Sequence, residues 1–217
     1  MLSHTEENYI KAIYHLSIKG KDVTTNSISD SLKTKPSSVT DMLKKLSDKK
    51  VINYIKYQGV SLTNKGNNIA LGIVRKHRLW EVFLVEKLKF NWDEVHEIAE
   101  QLEHIESGLL IKRLDEFLGH PSYDPHGDPI PNEQGEINHK EKVSLNDLEV
   151  NSQGIVIGLK ETSPLFLQYL DKTGIYIGVK IKIIEKIPFD ESLEILLDSK
   201  KTLIISKEVS KNILLTH

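Results

Sequence analysis

The chain has 217 residues, 39% of them hydrophobic and 28% charged, with no cysteine and a formal net charge of −2. That composition suits a soluble protein of two or three small modules; it excludes disulfides and thiolate metal sites, and no apolar run approaches the roughly 18 residues a bilayer span needs. The start, MLSHTEENYI, lacks the basic-then-apolar pattern of a signal peptide, so a cytoplasmic protein with no membrane partner is expected.

The small net charge hides an asymmetry. Residues 1–76 hold 13 Lys/Arg against 6 Asp/Glu, whereas residues 77–140 hold 6 against 14 together with six of the nine histidines. Residues 141–217 are balanced, 10 against 11. A basic segment followed by an acidic, His-rich one points to an anion-binding module joined to a cation-binding module.

Tyr9, Ile10, Ile13, Tyr14 and Leu16 lie at helical spacing and predict a first helix over residues 5–17. A polar link leads to a second helix with Ile28 and Leu32 on its buried side. In "KTKPSSVTDMLKKLSDKK", Pro36 suits a first helical turn, because its missing N–H lacks an intrahelical partner anyway, and Lys35 before it is biased away from helix. Val39, Met42, Leu43 and Leu46 then form one apolar stripe, leaving Ser37, Ser38, Thr40, Asp41, Lys44 and Lys45 on the other faces. "VINYIKYQGVSL" (51–62) alternates around Gly59 as a two-stranded hairpin does. Three short helices and a basic hairpin make the pattern of a winged helix-turn-helix; the competing reading is a small helical domain whose third helix is merely exposed. Hydroxyls and lysines at the start of the third helix favour DNA. Ser37, Ser38 and Thr40, with Pro36 in the same turn, are the candidates for base or phosphate contacts, and Lys35, Lys44, Lys45 and Lys56 for phosphate contacts.

Thr63 is a plausible N-cap for a long helix running to about Leu88. After it, "DEVHEIAEQLEHIES" (93–107) carries six carboxylates and two imidazoles. Drawn as one helix, it gathers His96, Glu100, Glu103 and His104 within an arc of about 100°, opposite Val95, Ile98, Leu102 and Ile105. His77 and Glu81, four apart on the preceding helix, add two more donors. The alternative is an ordinary solvated acidic face, and spacing alone leaves both open. "HEIAE" departs from the zinc-protease pattern H-E-x-x-H at Glu100, and no phosphate loop or nucleophile elbow is present, so an enzyme is not expected.

Leu109, Leu110, Leu114, Phe117 and Leu118 predict another helix. Its apolar surface, added to that of the long helix, exceeds what one subunit needs, which predicts a homodimer. "GHPSYDPHGDPIPNEQGEINHK" (119–140) reads as a linker or ordered loop. Beyond it, "GIVIGL", "IYIGVKIKIIEKI", "SLEILLD" and "TLIISKEV" predict a small barrel of about five strands, with "SPLFLQYLD" (163–171) a helical turn between strands.

Six collinear motifs, "TEENYIKAIYHL", "KPSSVTDMLKKL", "YQGVSLTNKG", "VRKHRLWEVFL", "VHEIAEQLEH" and "DPHGDPIP", resemble the diphtheria-toxin-repressor family of metal-dependent regulators, especially its manganese-responsive members. "LQYLDKTGIYIG" is similar to the family's SH3-like C-terminal domain. The resemblance implies a multidomain α+β chain: a winged-helix DNA-binding domain over 1–73, an all-α dimerisation and metal-binding domain over 74–140, and an SH3-like barrel over 141–217. It implies a repressor with Mn(II) or Fe(II) as corepressor at promoters of metal-uptake genes. His77, Glu81 and His96 would form an ancillary site, joined by Glu161 as a displaced candidate from the C-terminal domain. Glu100, Glu103 and His104 would form the primary site, with Asn8 at the first-helix position and Asp124 restoring the carboxylate that Asn8 lacks.

An ion joining Asn8 to Glu100, Glu103 and His104 would fix the DNA-binding head against the dimer domain, so that two recognition helices meet half-sites of a palindromic operator about 34–36 Å apart, or a multiple. Oxygen and imidazole donors without sulfur suit Mn(II) or Fe(II), while Co, Ni and Zn would also bind in vitro. Two other classes fit the same residues: a metal-dependent enzyme, and a winged-helix regulator that ignores metal.

Overall fold

A computed structural model describes residues 2–18, 20, 22–55, 59–137 and 141–216. The elements, in chain order, are α1 (His4–Ile18), α2 (Thr25–Leu32), α3 (Pro36–Asp48), β1 (Ile52–Ile55), β2 (Gly59–Leu62), α4 (Asn64–Glu86), α5 (Val95–Leu102) and α6 (Gly108–Phe117). They continue with β3 (Val143–Ser144), β4 (Gln153–Leu159), α7 (Pro164–Thr173), β5 (Lys180–Lys186), β6 (Leu193–Leu197), β7 (Lys201–Ile205), α8 (Lys207–Ser210) and β8 (Ile213–Leu215). The chain divides into two compact units, one of Met1–His77, Glu100–Gly108 and Pro131–Glu136, the other of Arg78–Ala99, Leu109–Ile130 and Ile137–His217. No helix among the described residues is long and apolar enough to cross a membrane.

The first unit contains the winged helix. Thr24 caps α2 by a reciprocal bond with Ser27, and Lys33 ends it in the left-handed region at φ 49°. Pro36 opens α3 behind an extended Lys35, as its fixed φ and missing donor demand. Ile10, Ile13, Ile28, Leu43 and Leu46 are fully buried and form the core of the three helices. β1 and β2 pair antiparallel from Ile52↔Leu62 to Ile55↔Gly59. Thr63 caps α4 by accepting the Gly66 N–H at 3.1 Å, and Gly66 is required there, because a Cβ would lie 1.9 Å from the Val51 carbonyl oxygen. Lys56 lies outside the described residues.

The expectation of one helix through 93–107 is corrected. α5 stops at Leu102, Glu103 and His104 stand in a turn, and α6 starts at Gly108. The buried side chain of Glu103 takes partners that a regular helix would not reach, described below.

In the second unit, six antiparallel strands run in the order β3-β8-β4-β5-β6-β7, with register shifts between Val156 and Gly158 and between Ile183 and Glu185. This is the small SH3-like sheet expected. "SPLFLQYLD" is a full ten-residue helix, α7, and β8 is a strand that alternation did not reveal. Trp92 belongs to the sheet's own hydrophobic core and donates its indole N–H to Asp171 at 3.1 Å, so the segment between α4 and α5 is packed into the C-terminal module. Gly127 (φ +84°) seats the 119–130 loop there: a Cβ would meet the Ile157 carbonyl oxygen at 2.1 Å.

Candidate metal centre

Within the first unit, the break at Leu102 turns Glu103 inward, where it is fully buried. Its Oε2 lies 2.6 Å from His77 Nδ1, and its Oε1 lies 2.6 Å from the Lys11 ammonium of α1. Lys11 also reaches Glu100 Oε1 at 3.2 Å. His104 Nδ1 lies 2.6 Å from Glu7 Oε2, its Nε2 stands 4.0 Å from Glu103 Oε1, and the His4 ring stacks on it at 4.5 Å. Burial pushes the Glu103 carboxyl up, but the His77 contact and the Lys11 charge outweigh it and hold it below the usual range. Of the expected ligands, Glu103 stands 4.0 Å from His104, and Glu100 is linked to Glu103 through Lys11; Asn8 is half-buried on α1, next to Glu7. Carboxylate and imidazole donors suit a hard or borderline divalent cation. Lys11 and Glu7 are the residues that sequence reasoning missed, since nothing in the pattern of α1 shows which of its polar side chains face residues 100–104.

The second unit holds a separate set. Glu81 of α4 is buried, with Oε1 3.5 Å from His96 Nδ1 and Oε2 3.8 Å from His126 Nδ1. One donor atom each from Glu81, Asp124 and His126, all buried, lie within 4.8 Å of one another. His77 precedes Glu81 by one turn of the same helix.

Asp124 lies in the second unit, in the loop that carries His126. Its Oδ1 accepts the N–H groups of His126 and Asp128 at 2.9 Å each, bracing its own loop, and its Oδ2 lies 3.4 Å from Arg78 Nε. Glu161 is exposed, and its carboxylate accepts the Ser163 N–H at 2.7 Å ahead of α7. His126 was overlooked within "DPHGDPIP". Its Nε2 lies 2.8 Å from the Trp92 carbonyl oxygen, which aims Nδ1 at Glu81.

Burial, then Glu81 and Asp128, push the Asp124 carboxyl up to about 7 against the opposing Arg78 and His126. Burial lowers the His126 imidazole, but Glu81, Asp124 and the Trp92 carbonyl raise it to about 9. A buried carboxyl whose ionisation a neighbouring carboxylate opposes marks an environment that favours a cation, so this donor set fits a divalent ion.

On α3, Lys35, Pro36, Ser37 and Ser38 are exposed. Thr40 returns its hydroxyl to the Pro36 carbonyl at 3.0 Å. Lys44 pairs with Asp41 at 3.4 Å, and Lys45 pairs with buried Glu6 at 3.2 Å.

The family profile described as "Iron dependent repressor, N-terminal DNA binding domain" matches residues 1–60, "Iron dependent repressor, metal binding and dimerisation domain" matches 63–132, and "FeoA domain" matches 143–217. The HTH-type transcriptional regulator MntR of Oceanobacillus iheyensis is 34% identical over 114 residues, 52% of this chain and 77% of that protein. The iron-dependent repressor IdeR of Mycobacterium tuberculosis (strain H37Rv) is 32% identical over 130 residues, 60% of this chain and 56% of the relative, so the match spans about half of that protein's length. A solved manganese-dependent transcriptional repressor in complex with manganese is 29% identical, with a TM-score of 0.84 over 97% of this chain and 99% of that one. The chain belongs to the iron-dependent repressor family, the group its six motifs resemble.

Proposed function

We propose that the chain is a homodimeric transcriptional repressor whose grip on a palindromic double-stranded DNA operator depends on Mn(II) or Fe(II), controlling metal-uptake genes in the cytoplasm. The head lies in residues 1–73, the metal-binding and dimer-forming segment in 74–140, and the SH3-like module in 141–217. The observation that carries this reading is the meeting of α1 with Glu100, Glu103 and His104 in one compact unit. A divalent ion on those carboxylates would replace the Lys11 contact and reset the position of the first helix of the DNA-binding head.

Glu100, Glu103 and His104, with Asn8, are one ligand set. His77, Glu81 and His96 are a second, with Asp124 and His126 sharing Glu81. A divalent ion would supply positive charge shared between carboxylates and imidazoles from different elements. The residues' own part is to hold those donors in place, with Glu81, Glu103, Asp124 and His126 buried. The shared MntR and IdeR segments support the DNA-binding and metal-responsive parts of this reading. Exposed Leu109, Leu110 and Phe117 on α6 support self-association. Co, Ni and Zn would also fill these sites in vitro.

The test is a gel-shift selection from a genomic DNA library, with Mn²⁺, Fe²⁺, Zn²⁺ and chelator in parallel. Retention of one operator with Mn²⁺ or Fe²⁺ and its loss in chelator is expected; equal retention in chelator refutes the reading. Binding should fall steeply with salt, because Lys35 and Lys44 meet phosphates.

A further inference from the structure

The first ligand set already contains a cation of the chain's own. Lys11 Nζ lies 2.6 Å from Glu103 Oε1 and 3.2 Å from Glu100 Oε1, with its side chain only 12% exposed. Glu103 Oε1 also stands 4.0 Å from His104 Nε2, so the ammonium occupies the carboxylate oxygen that faces His104 and bridges it to Glu100. An ammonium and a divalent ion on one carboxylate oxygen repel each other, and a low-dielectric surrounding strengthens that repulsion.

We propose that Lys11 is a built-in competitor for the metal. It ties α1 to Glu100 and Glu103 when no metal is bound, and a divalent ion gains those carboxylates only by displacing it. Lys11 thereby sets the metal concentration at which the first set fills. The inference rests on the metal-responsive reading above, and it assigns Lys11 a threshold-setting role, not that of a ligand.

Two consequences separate this role from simple structural support. Removing the ammonium leaves a buried carboxylate oxygen without its partner, a state costly to the metal-free protein and relieved by a cation. Metal-free stability and metal affinity should therefore move in opposite directions. Keeping the charge while changing the head group should preserve both.

The experiment compares the full chain with its Lys11→Met and Lys11→Arg variants, all in a Glu81→Ala background that removes the carboxylate common to the second set. Bound Mn²⁺ is read from the loss of the free-ion electron paramagnetic resonance signal at one fixed pH. Thermal unfolding is recorded in chelator. Lys11→Met is expected to bind Mn²⁺ at least about tenfold more tightly than the parent while melting lower in chelator, and Lys11→Arg to track the parent in both. Equal Mn²⁺ affinity in all three proteins, or weaker binding by Lys11→Met, overturns the threshold role and leaves the metal-responsive reading intact. No Mn²⁺ binding by any of the three, nor by the chain with Glu81 intact, overturns both.

Discussion

Glu6, buried on α1, holds Lys49 at 2.7 Å just past the end of α3, and Lys45 one turn earlier at 3.2 Å. One carboxylate thus fixes the C-terminal end of the recognition helix against the first helix, where cations also complement the helix dipole. Lys45 is consequently both a candidate phosphate contact and an internal strut. Glu6→Gln removes the charge and keeps the shape. Because the lysine ends are partly in water, the expected loss is about 1 kcal/mol, read as a lower melting temperature of the head.

The same carboxylate gives a pH dependence. Burial pushes the Glu6 carboxyl up, but Lys49, the Ser3 backbone and Lys45 bring it from 4.5 down to about 2. A depressed carboxylate contributes stability that is complete above its unfolded value and disappears as pH falls through its folded one. The parent protein should therefore lose this contribution between about pH 4.5 and 2. Glu6→Gln, which has nothing to protonate, should show a flatter acid limb over that window in denaturant titrations at stepped pH. Parallel limbs would show that the pair contributes nothing.

Local rules made most of the fold legible, and tertiary choices explain the rest. Pro36, the Thr63 cap and the alternation around Gly59 act through their immediate neighbours, so their consequences could be written down from the chain. The end of α5 could not, because Glu103 and His104 carry no helix-breaking signature and Gly108 comes too late to mark it. That helix stops because Glu103 finds Lys11 and His77, and His104 finds Glu7, partners distant in sequence. Asp124 was legible as a carboxylate of interest, but its neighbours Glu81 and Arg78 were not. Its loop packs against Arg78 and the sheet, and only the fold brings it to Glu81 and His126.

Gly127 offers a sharp test of how that loop is seated. It combines φ +84° with a neighbouring backbone only 2.1 Å from where a Cβ would sit, and the obstacle is a carbonyl oxygen that no rotamer change removes. Gly127→Ala should destabilise the second unit by about 3 kcal/mol or more in denaturant unfolding, while Gly119→Ala, whose Cβ meets nothing, should cost about 1 kcal/mol from φ alone. Equal costs at the two positions would mean that the loop is not held as described.

On α6, Leu110 and Phe117 stand seven residues apart on one stripe and are 41% and 64% exposed, with Leu109 beside them at 69%. Burying such side chains contributes about 1.5–3 kcal/mol each, and a symmetric interface counts every one twice. Phe117→Glu should therefore weaken dimer formation by a factor of a hundred or more in sedimentation equilibrium. The monomeric variant should keep its circular dichroism spectrum and lose cooperative binding to a two-half-site operator. An unchanged dimer would place the interface elsewhere.

Asp124 performs two tasks with two oxygens, and substitutions can separate them. Oδ1 braces the loop through the N–H groups of His126 and Asp128, which the carbonyl of an asparagine would also accept; the charge faces Glu81 and His126. Asp124→Asn should thus leave the loop intact and change metal-free stability little, since it relieves the repulsion from Glu81 but gives up the pair with Arg78. It should also cost most of the stabilisation that Mn²⁺ confers at the second set, about 2.7 kcal/mol at a concentration a hundredfold above the dissociation constant. Asp124→Ala should lose both loop and metal response. Melting curves of the three proteins with Mn²⁺ and with chelator decide the matter, and full stabilisation of Asp124→Asn by Mn²⁺ would remove Asp124 from the ligand set.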